Sequence, residues 1–282
     1  MEILVNERSL SGQYSTVEEF FRVGLKPFMK VLKSTDGLPI QVYQRSDFNQ
    51  ANVTQNDKIY YILKCEESRR YDEARRYKVF LDRLFSGPYW DLNPKQSING
   101  IYRYNENNVC ESSLAEACER DKAVISFYHN EFKSRRLSIF RDECKISIDN
   151  LVEGEDIIQI TYERGIIPFS EYCRRKFKDT KLCFDYIDPK DGFAKVKNKE
   201  DENLLIEKFD MFSKLTWEDI RTSHRLKYRK YDYDYENKYF KNTDEKIDYF
   251  KLSEKDRCYG YRKGNVFFVL GFDFEHKKSD GQ

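Results

Sequence analysis

The segment RCYGYRKGNVFFVLGFDFEHKKSDG, residues 257–281, determines how the C-terminal part of this chain folds. Two apolar runs flank Gly264-Asn265, a dipeptide typical of the two-residue turns that close β-hairpins. This spacing pairs Lys263 with Val266 and predicts two antiparallel strands. Charged side chains stand at the edges of both strands, so they are either ordinary solvated strand ends or parts of a functional site.

The register of the hairpin follows from its turn. It predicts three cross-strand pairs: Tyr261 with Phe268, Tyr259 with Leu270, and Arg257 with Phe272. Because side chains alternate along a strand, Arg257 shares a face with His276. Arg262 and Asp273 lie on the opposite face. An error of one residue in the register would exchange the two faces.

Positive and negative charges nearly cancel along the 282 residues, since 50 Lys and Arg against 49 Asp and Glu give a formal net charge of +1. A nucleic-acid or membrane site must therefore be a local patch. No apolar run approaches the roughly 18–20 residues of a membrane span, and MEILVNERSL lacks the layout of a secretory signal. We expect no membrane partner.

The seven cysteines are odd in number and scattered, and no two of them form a CxxC pair. Zinc-finger and thioredoxin-like sites therefore lack support. Reduced thiols in a cytoplasmic protein are the simplest interpretation. The chain has only three histidines, and this small number excludes most multi-histidine metal sites. We expect a cytoplasmic protein that uses no cofactor.

Helix and strand patterns alternate through the first half of the chain. MEILVN predicts a strand, and STVEEFFRVGLKPFMKVLKS predicts a helix capped by Ser15 or Thr16. A longer helix is expected from Asn56 to Phe85, and LSIFRDECKISI predicts a hairpin. After Pro168, FSEYCRRKF and LLIEKFDMFSKLTWEDI predict further helices.

From His224 onward the pattern changes to strands: HRLKYRKY, KIDYFKL, RCYGYR and VFFVLGFDF. The fold class is therefore α+β, with a mixed helix and strand region followed by an antiparallel sheet. A shift in composition separates two regions. Residues 1–155 form a regulatory or docking region, and residues 156–282 form a helical connector and the C-terminal domain.

Two clusters of polar residues carry possible nuclease chemistry. An arginine binds phosphate with two parallel hydrogen bonds, and a histidine exchanges protons near neutral pH, so Arg257 and His276 suit metal-free RNA cleavage. FDYIDPKDG instead offers Asp185, Asp188 and Lys190 to a divalent metal. Asp and Gly beside Pro are also what an ordinary turn requires, and we favour that interpretation for this second cluster.

The order HRLKYRKY, KIDYFKLSEKDRCYGYR, NVFFVLGFDFEHK resembles the RelE/ParE-like toxin superfamily over about the last 70 residues. The matching positions are His224, Leu226, Lys227, Phe250, Arg257, Tyr259, Tyr261, the strand Val266–Phe272, and His276. The N-terminal region resembles uncharacterised bacterial defence-associated proteins. The resemblance implies a RelE-like sheet and cleavage of mRNA, on the ribosome in many members, without a metal ion.

The resemblance also implies roles for individual residues. Arg257 would bind the scissile phosphate, His276 would act as general acid or base, and Lys227 would stabilise transition-state charge. Four further residues are expected to contact substrate: Arg262, Tyr261, Tyr259 and His224. The protein would then be a toxin of a toxin–antitoxin pair or an antiviral defence effector, with an antitoxin or another defence protein as partner.

The near-neutral charge and the long N-terminal region favour an alternative, a non-enzymatic protein-binding subunit of a defence or toxin–antitoxin system. This alternative includes a ParE-like inhibitor, because the ParE branch shares the fold, acts on DNA gyrase and lacks the nuclease residues.

Overall fold

The computed structural model describes residues 1–64, 82, 85–231 and 245–274, and the fold is α+β, as expected. The chain divides into two compact units, unit 1 (Met1–Ile160) and unit 2 (Thr161–Gln282). His276 lies outside the described residues. So does most of the helix expected from Asn56 to Phe85, which begins at Ile59.

The described strands of unit 1 are β1 (Glu2–Val5), β2 (Gln41–Tyr43), β3 (Tyr102–Tyr104), β4 (Asn107–Asn108), β5 (Ala123–Ile125), β6 (Arg136–Arg141) and β7 (Cys144–Leu151). Among the described residues they form one seven-stranded sheet, in the order β2-β1-β5-β7-β6-β3-β4. The neighbours from β2 to β7 in that order are parallel, and the remaining pairs are antiparallel. The predicted β6–β7 hairpin is confirmed.

The described α-helices that begin in this unit are α1 (Val17–Glu19), α2 (Lys26–Ser34), α3 (Ile59–Lys64), α4 (Ser113–Cys118) and α5 (Gly154–Glu163), and a π-helical segment (Phe20–Leu25) joins α1 to α2. Short 3-10 turns cover Glu7–Ser9, Phe48–Gln50, Trp90–Leu92 and Asn130–Phe132. The division between the units falls inside α5.

The helical segment after β1 forms the larger core of unit 1. Thr16 accepts the backbone N–H of Glu19 at 3.1 Å and caps α1, in agreement with the sequence. The rings of Phe28 and Phe127 stack with centroids 3.9 Å apart, and both belong to the buried cluster that contains Ile3 of β1. The apolar helical face thus covers one side of the parallel strands.

Unit 2 continues with α6 (Phe169–Lys176), β8 (Leu182–Cys183), a 3-10 turn (Phe193–Lys195), α7 (Lys199–Lys214), α8 (Trp217–Thr222), β9 (Arg229–Lys230), β10 (Asp248–Lys251), β11 (Arg257–Lys263) and β12 (Val266–Asp273). Its described residues form a five-stranded sheet in the order β8-β12-β11-β10-β9. The short β8 is parallel to β12, and the other pairs are antiparallel.

The segment LLIEKFDMFSKLTWEDI, which the sequence predicts as one helix, forms two. Helix α7 ends at Lys214 and α8 begins at Trp217, because Thr216 caps the second helix. The Thr216 hydroxyl oxygen accepts the N–H of Asp219, and the Asp219 carboxylate accepts the N–H of Thr216, both at 3.2 Å. This capping box starts a new helix within what looks like a continuous amphipathic pattern.

Thr216→Ala is expected to lower the free energy of unfolding of unit 2 by about 1 kcal/mol, because it removes the side-chain half of this cap. Hydrogen exchange of the α8 amides in the full chain measures the effect. Thr222→Ala, at the exposed end of the same helix, is the matched control and should change protection little. Equal loss of protection in both variants would contradict the role of the cap.

One face of the unit 2 sheet packs on α7. The rings of Phe209 and Phe212 lie 6.1 Å from Phe272 and 4.8 Å from Phe250, measured between centroids. The opposite face carries a second buried cluster of Tyr231, Ile247, Tyr259 and Leu270. Aromatic side chains therefore dominate both faces of the hairpin.

The hairpin register agrees with the prediction only near the turn. Lys263 pairs with Val266 and Tyr261 pairs with Phe268, as expected. Beyond a β-bulge the predicted pairs are wrong. The observed pairs are Tyr259 with Gly271 and Arg257 with Asp273, and Leu270 is the additional residue of β12. Asp273 therefore lies opposite Arg257, on the same face.

Local contacts explain where the bulge forms. A Cβ atom on Gly260 would lie 2.2 Å from the carbonyl oxygen of Phe268, so only glycine permits this approach of the two strands. On the outer edge of β12, the carbonyl oxygen of Leu270 accepts the N–H of Asp188 at 2.8 Å. The N–H of Phe272 is donated to the carbonyl oxygen of Asp191 at 2.7 Å. The loop before α7 thus binds the bulged segment.

Candidate functional site

The segment HRLKYRKY begins as a turn and not as the strand predicted from sequence, since only Arg229–Lys230 is extended in a ladder. The N–H of Lys227 is donated to the carbonyl oxygen of Ser223 at 2.9 Å, which closes the turn at the end of α8. Lys227 has a φ of 44°. Positive φ is uncommon for a residue with a side chain, so this conformation is held by its surroundings.

Leu226 fixes the turn to the sheet. Its side chain is fully buried, and its carbonyl oxygen accepts the N–H of Lys251, the last residue of β10, at 2.7 Å. Lys227 is therefore held beside the end of β10 by a buried anchor and a backbone hydrogen bond. This arrangement brings Lys227 close to Lys251, a residue that the sequence resemblance does not single out.

These residues line a groove with a volume of about 330 Å³, which we call the lysine groove. Its lining residues are Glu207, Lys208, His224, Arg225, Lys227, Lys251, Leu252, Ser253 and Glu254. Four cationic side chains face two carboxylates, so the formal charge of the groove is +2 when the imidazole is neutral. A local positive patch exists although the whole chain is almost neutral.

Glu254 bridges the two lysines. One carboxylate oxygen lies 3.2 Å from the Nζ of Lys251, and the other lies 3.7 Å from the Nζ of Lys227. The hydrogen bond from Lys251, and then the charge of Lys227, lower the pKa of Glu254. The Glu254 side chain is 84% exposed, and its described contacts are with these two lysines.

Arg257 lies one strand further along the sheet. It is directly opposite Lys251 on one side and Asp273 on the other, and its Nη1 donates to the carbonyl oxygen of Lys255 at 2.8 Å. The guanidinium carbon is 5.7 Å from the ring centroid of Tyr249. Arg257 is half-buried and adjoins the lysine groove through its partner strand, but it does not line that groove.

Tyr259 and Tyr261 differ in access to solvent. Tyr259 is fully buried, with its ring centroid 5.3 Å from that of Tyr231, so in this structure it packs the sheet and presents no surface to a base. Burial, and then the charge of Asp273, raise its pKa. Tyr261 is partly exposed and stacks on Phe268 at 5.0 Å.

Arg262 occupies the other end of the hairpin. Its guanidinium carbon stands 3.9 Å from the ring centroid of Trp217, and its Nε donates to the carbonyl oxygen of Gly264 at 2.9 Å. It is five positions along β11 from Arg257, about 17 Å at the usual rise, and the two side chains point to opposite faces. They cannot bind the same phosphate.

The predicted site residues therefore separate into groups. His224 and Lys227 share the lysine groove, Arg257 adjoins it, and Arg262 and Tyr261 lie toward the hairpin turn. His276 lies outside the described residues.

The acidic segment FDYIDPKDG forms a turn. The Asp188 carboxylate accepts the N–H groups of Lys190 at 2.7 Å and Asp191 at 2.9 Å, which is the pattern of an aspartate that caps its own turn. Within residues 1–64, 82, 85–231 and 245–274, no group of three or more His, Cys, Asp or Glu side chains could hold a metal ion.

Unit 1 contains a serine–histidine contact. The Ser11 Oγ is 3.1 Å from the Nε2 of His129, and the Nδ1 of His129 accepts the N–H of Glu131 at 3.1 Å. A neutral imidazole that accepts at Nδ1 carries its proton on Nε2. The ring therefore donates to the serine, which is the opposite of what activation of a serine nucleophile requires.

No helix in the described part of the chain is long and apolar enough to cross a membrane. Comparison of the chain with protein-family models, curated proteins and solved structures finds no match. Function is therefore inferred from the geometry of the lysine groove and its neighbours.

Proposed function

We propose that unit 2 is a metal-independent endoribonuclease that cleaves mRNA, and that its sheet is of RelE-like type. The observation that carries the proposal is the convergence of His224, Lys227 and Lys251 in one groove beside the strand that holds Arg257. Two lysines on fixed main-chain positions, an imidazole and a nearby guanidinium can supply the charge stabilisation and proton transfer that cleavage without a metal requires.

The reaction would be an attack of the 2′-hydroxyl oxygen on the adjacent phosphorus. The 2′ proton passes to a base, the bond from phosphorus to the 5′-oxygen breaks, and that oxygen takes up a proton. The products are a 2′,3′-cyclic phosphate and a 5′-hydroxyl. Lys227 and Lys251 balance the charge that develops on the phosphoryl oxygens, and Arg257 orients the phosphate of the same linkage or of its neighbour.

Two histidines are candidates for the proton transfers. His276 is the residue that the resemblance to RelE-like toxins suggests, and His224 lines the lysine groove. We expect His276→Ala to lower the cleavage rate 10²- to 10⁴-fold, the usual contribution of a general acid or base. His224→Ala is the matched variant and should have the smaller effect. The reverse order would assign proton transfer to His224.

The test uses the purified full chain and an mRNA in EDTA, with and without translating ribosomes, followed by mapping of new 5′ ends. We expect cuts in EDTA that Arg257→Ala removes and Arg262→Ala leaves in place, since these two arginines lie at opposite ends of β11. Cuts only with ribosomes present would make the ribosome a partner. No cuts under either condition would overturn the nuclease proposal.

Cleavage of mRNA would make the protein a toxin or an antiviral effector, kept inactive by an antitoxin or another defence protein. The rival is a non-enzymatic protein-binding subunit, favoured by the nearly balanced charges of the chain. The rival predicts that surface changes in unit 1 dominate the phenotype and that Arg257→Ala leaves toxicity unchanged.

A further inference from the structure

Glu254 lines the lysine groove and contacts two of its lysines. Its two carboxylate oxygens lie 3.2 Å from the Nζ of Lys251 and 3.7 Å from the Nζ of Lys227. A carboxylate and a phosphodiester both present two equivalent anionic oxygens on one central atom. The position between the two lysines is therefore suited to a phosphate group, and an internal anion fills it in the described structure.

The turn that carries Glu254 is well ordered by its own hydrogen bonds. The carbonyl oxygen of Asp256 accepts the N–H of Leu252 at 2.9 Å, and the Ser253 hydroxyl oxygen accepts the N–H groups of Lys255 and Asp256 at 3.1 and 3.0 Å. The backbone of Glu254 is thus fixed by its neighbours, whereas its side chain projects into solvent. The carboxylate can leave the lysines by rotation of its side chain alone.

The main chain of each lysine is held independently of the Glu254 carboxylate, and the Nζ of Lys251 also donates to the backbone carbonyl oxygen of Glu254 at 3.3 Å. Lys227 is placed by the buried Leu226 anchor, and Lys251 belongs to a strand with partners on both sides. The side chain of Lys251 is 20% exposed and that of Lys227 is 41% exposed, so a ligand in solvent can reach both. An incoming phosphate would meet two lysines whose main-chain positions are already fixed, and it would displace one exposed carboxylate.

We propose that the pair Lys227 and Lys251 binds one phosphate of an RNA strand, and that Glu254 is a built-in competitor that occupies this phosphate position in the free protein. The inference rests on the proposed function for its choice of ligand. The Glu254 carboxylate weakens the binding of any single anion at this position. An RNA strand still binds, because several of its phosphates contact the protein at the same time.

The test measures binding of a short fluorescent 2′-O-methyl RNA, which has no free 2′-hydroxyl and cannot be cleaved by the proposed reaction. Glu254→Gln should tighten binding about two- to five-fold, the range expected for loss of one exposed ion-pair competitor. Glu245→Gln is the matched control, since Glu245 pairs with Lys263 at 3.5 Å near the turn of the hairpin. It should leave the affinity unchanged.

A double-variant cycle separates a specific competitor from general charge. In a background of Lys227→Gly with Lys251→Met, the gain from Glu254→Gln should disappear, because the phosphate position no longer exists. A gain that survives in that background, or equals that of Glu245→Gln, overturns the proposal. Inorganic phosphate that binds more tightly to Glu254→Gln, while RNA binding stays the same, would overturn the assignment of RNA as the ligand.

The phosphate-binding proposal and the nuclease proposal can be overturned independently of each other. The predicted binding changes without any cleavage of unmodified RNA in EDTA would overturn the nuclease and leave the phosphate position standing. Cleavage in EDTA with no effect of Glu254→Gln on binding would overturn the phosphate position and leave the nuclease proposal standing.

Discussion

Replacing Lys227 by glycine is expected to lower the rate of RNA cleavage in EDTA about 100-fold while unit 2 remains folded. The variant removes one of the two ammonium groups that face the proposed transition state, and loss of one such group costs about 10² to 10³ in rate. Glycine accepts the φ of 44° at this position without strain, so stability should change by less than about 1 kcal/mol. Single-turnover cleavage and thermal unfolding of the same samples measure both quantities.

Lys263→Ala is the matched control for this prediction. Lys263 is a lysine of the same unit, but it lies beside the hairpin turn and pairs with Glu245. Its removal should leave the cleavage rate within about two-fold, as expected for an exposed surface charge. Equal losses in Lys227→Gly and Lys263→Ala would mean that only the overall positive charge matters, and the lysine groove would lose its role.

Replacing Arg120 by alanine is expected to lower the free energy of unfolding of unit 1 by about 3–5 kcal/mol, because it leaves a buried carboxylate without its cation. Glu116 is fully buried, Arg120 is 4% exposed, and the Nε of Arg120 lies 2.5 Å from a Glu116 oxygen. The same guanidinium binds Glu2 at 2.9 Å. Chemical denaturation followed by the fluorescence of Trp90, in a Trp217→Phe background, reports on unit 1.

Arg136→Ala is the control for the Arg120 prediction, because Arg136 is 73% exposed and its ion pair with Asp149 is 3.4 Å long. It should cost no more than about 1 kcal/mol. A loss below 1 kcal/mol for Arg120→Ala would mean that Glu116 is satisfied by its backbone hydrogen bonds from Lys95 and Gln96.

The Arg120 contact also makes stability depend on pH. Burial alone would raise the pKa of Glu2, but the hydrogen bonds from Arg120 and Lys95 lower it below its ordinary value of 4.5. The stability from this contact is therefore complete above pH 4.5 and is lost as the pH falls through the lower pKa of the folded state. We expect Arg120→Ala to reduce the acid sensitivity of unit 1 in this window. Denaturation between pH 3 and 6, compared with the wild type, measures the difference.

The turn and the apolar runs of the C-terminal hairpin were sufficient to predict its two strands and the pairs nearest the turn. The apolar pattern of the two strands could not reveal the bulge, because it does not show whether β12 has one residue more than its partner strand. Gly260 and Gly271 were the available signals, since an isolated glycine inside a strand often marks a bulge or a close approach. The contacts of Gly260 across the hairpin explain why the predicted partners of Tyr259 and Arg257 were wrong.

The lysine groove could be predicted only in part. His224 and Lys227 were candidates because of a sequence resemblance, but Lys251 and Glu254 look like ordinary strand-end and turn residues. Their proximity depends on the left-handed conformation of Lys227 and on the hydrogen bond between Leu226 and Lys251. Neither the conformation nor the hydrogen bond can be recognised from hydrophobic periodicity. The contact between the Arg262 guanidinium and the Trp217 ring could not be predicted either, because the two residues are 45 positions apart in sequence and lie on separate elements.

The chemistry of the RNA ends decides whether unit 2 is a metal-independent endoribonuclease. The measurement is the incubation of the full chain with a defined mRNA in EDTA, followed by identification of the ends at each cut, with Lys227→Gly as the paired sample. We predict 2′,3′-cyclic phosphate and 5′-hydroxyl ends that form about 100-fold more slowly in Lys227→Gly. Intact RNA, or cuts with 3′-hydroxyl and 5′-phosphate ends that are the same in both samples, would contradict this account.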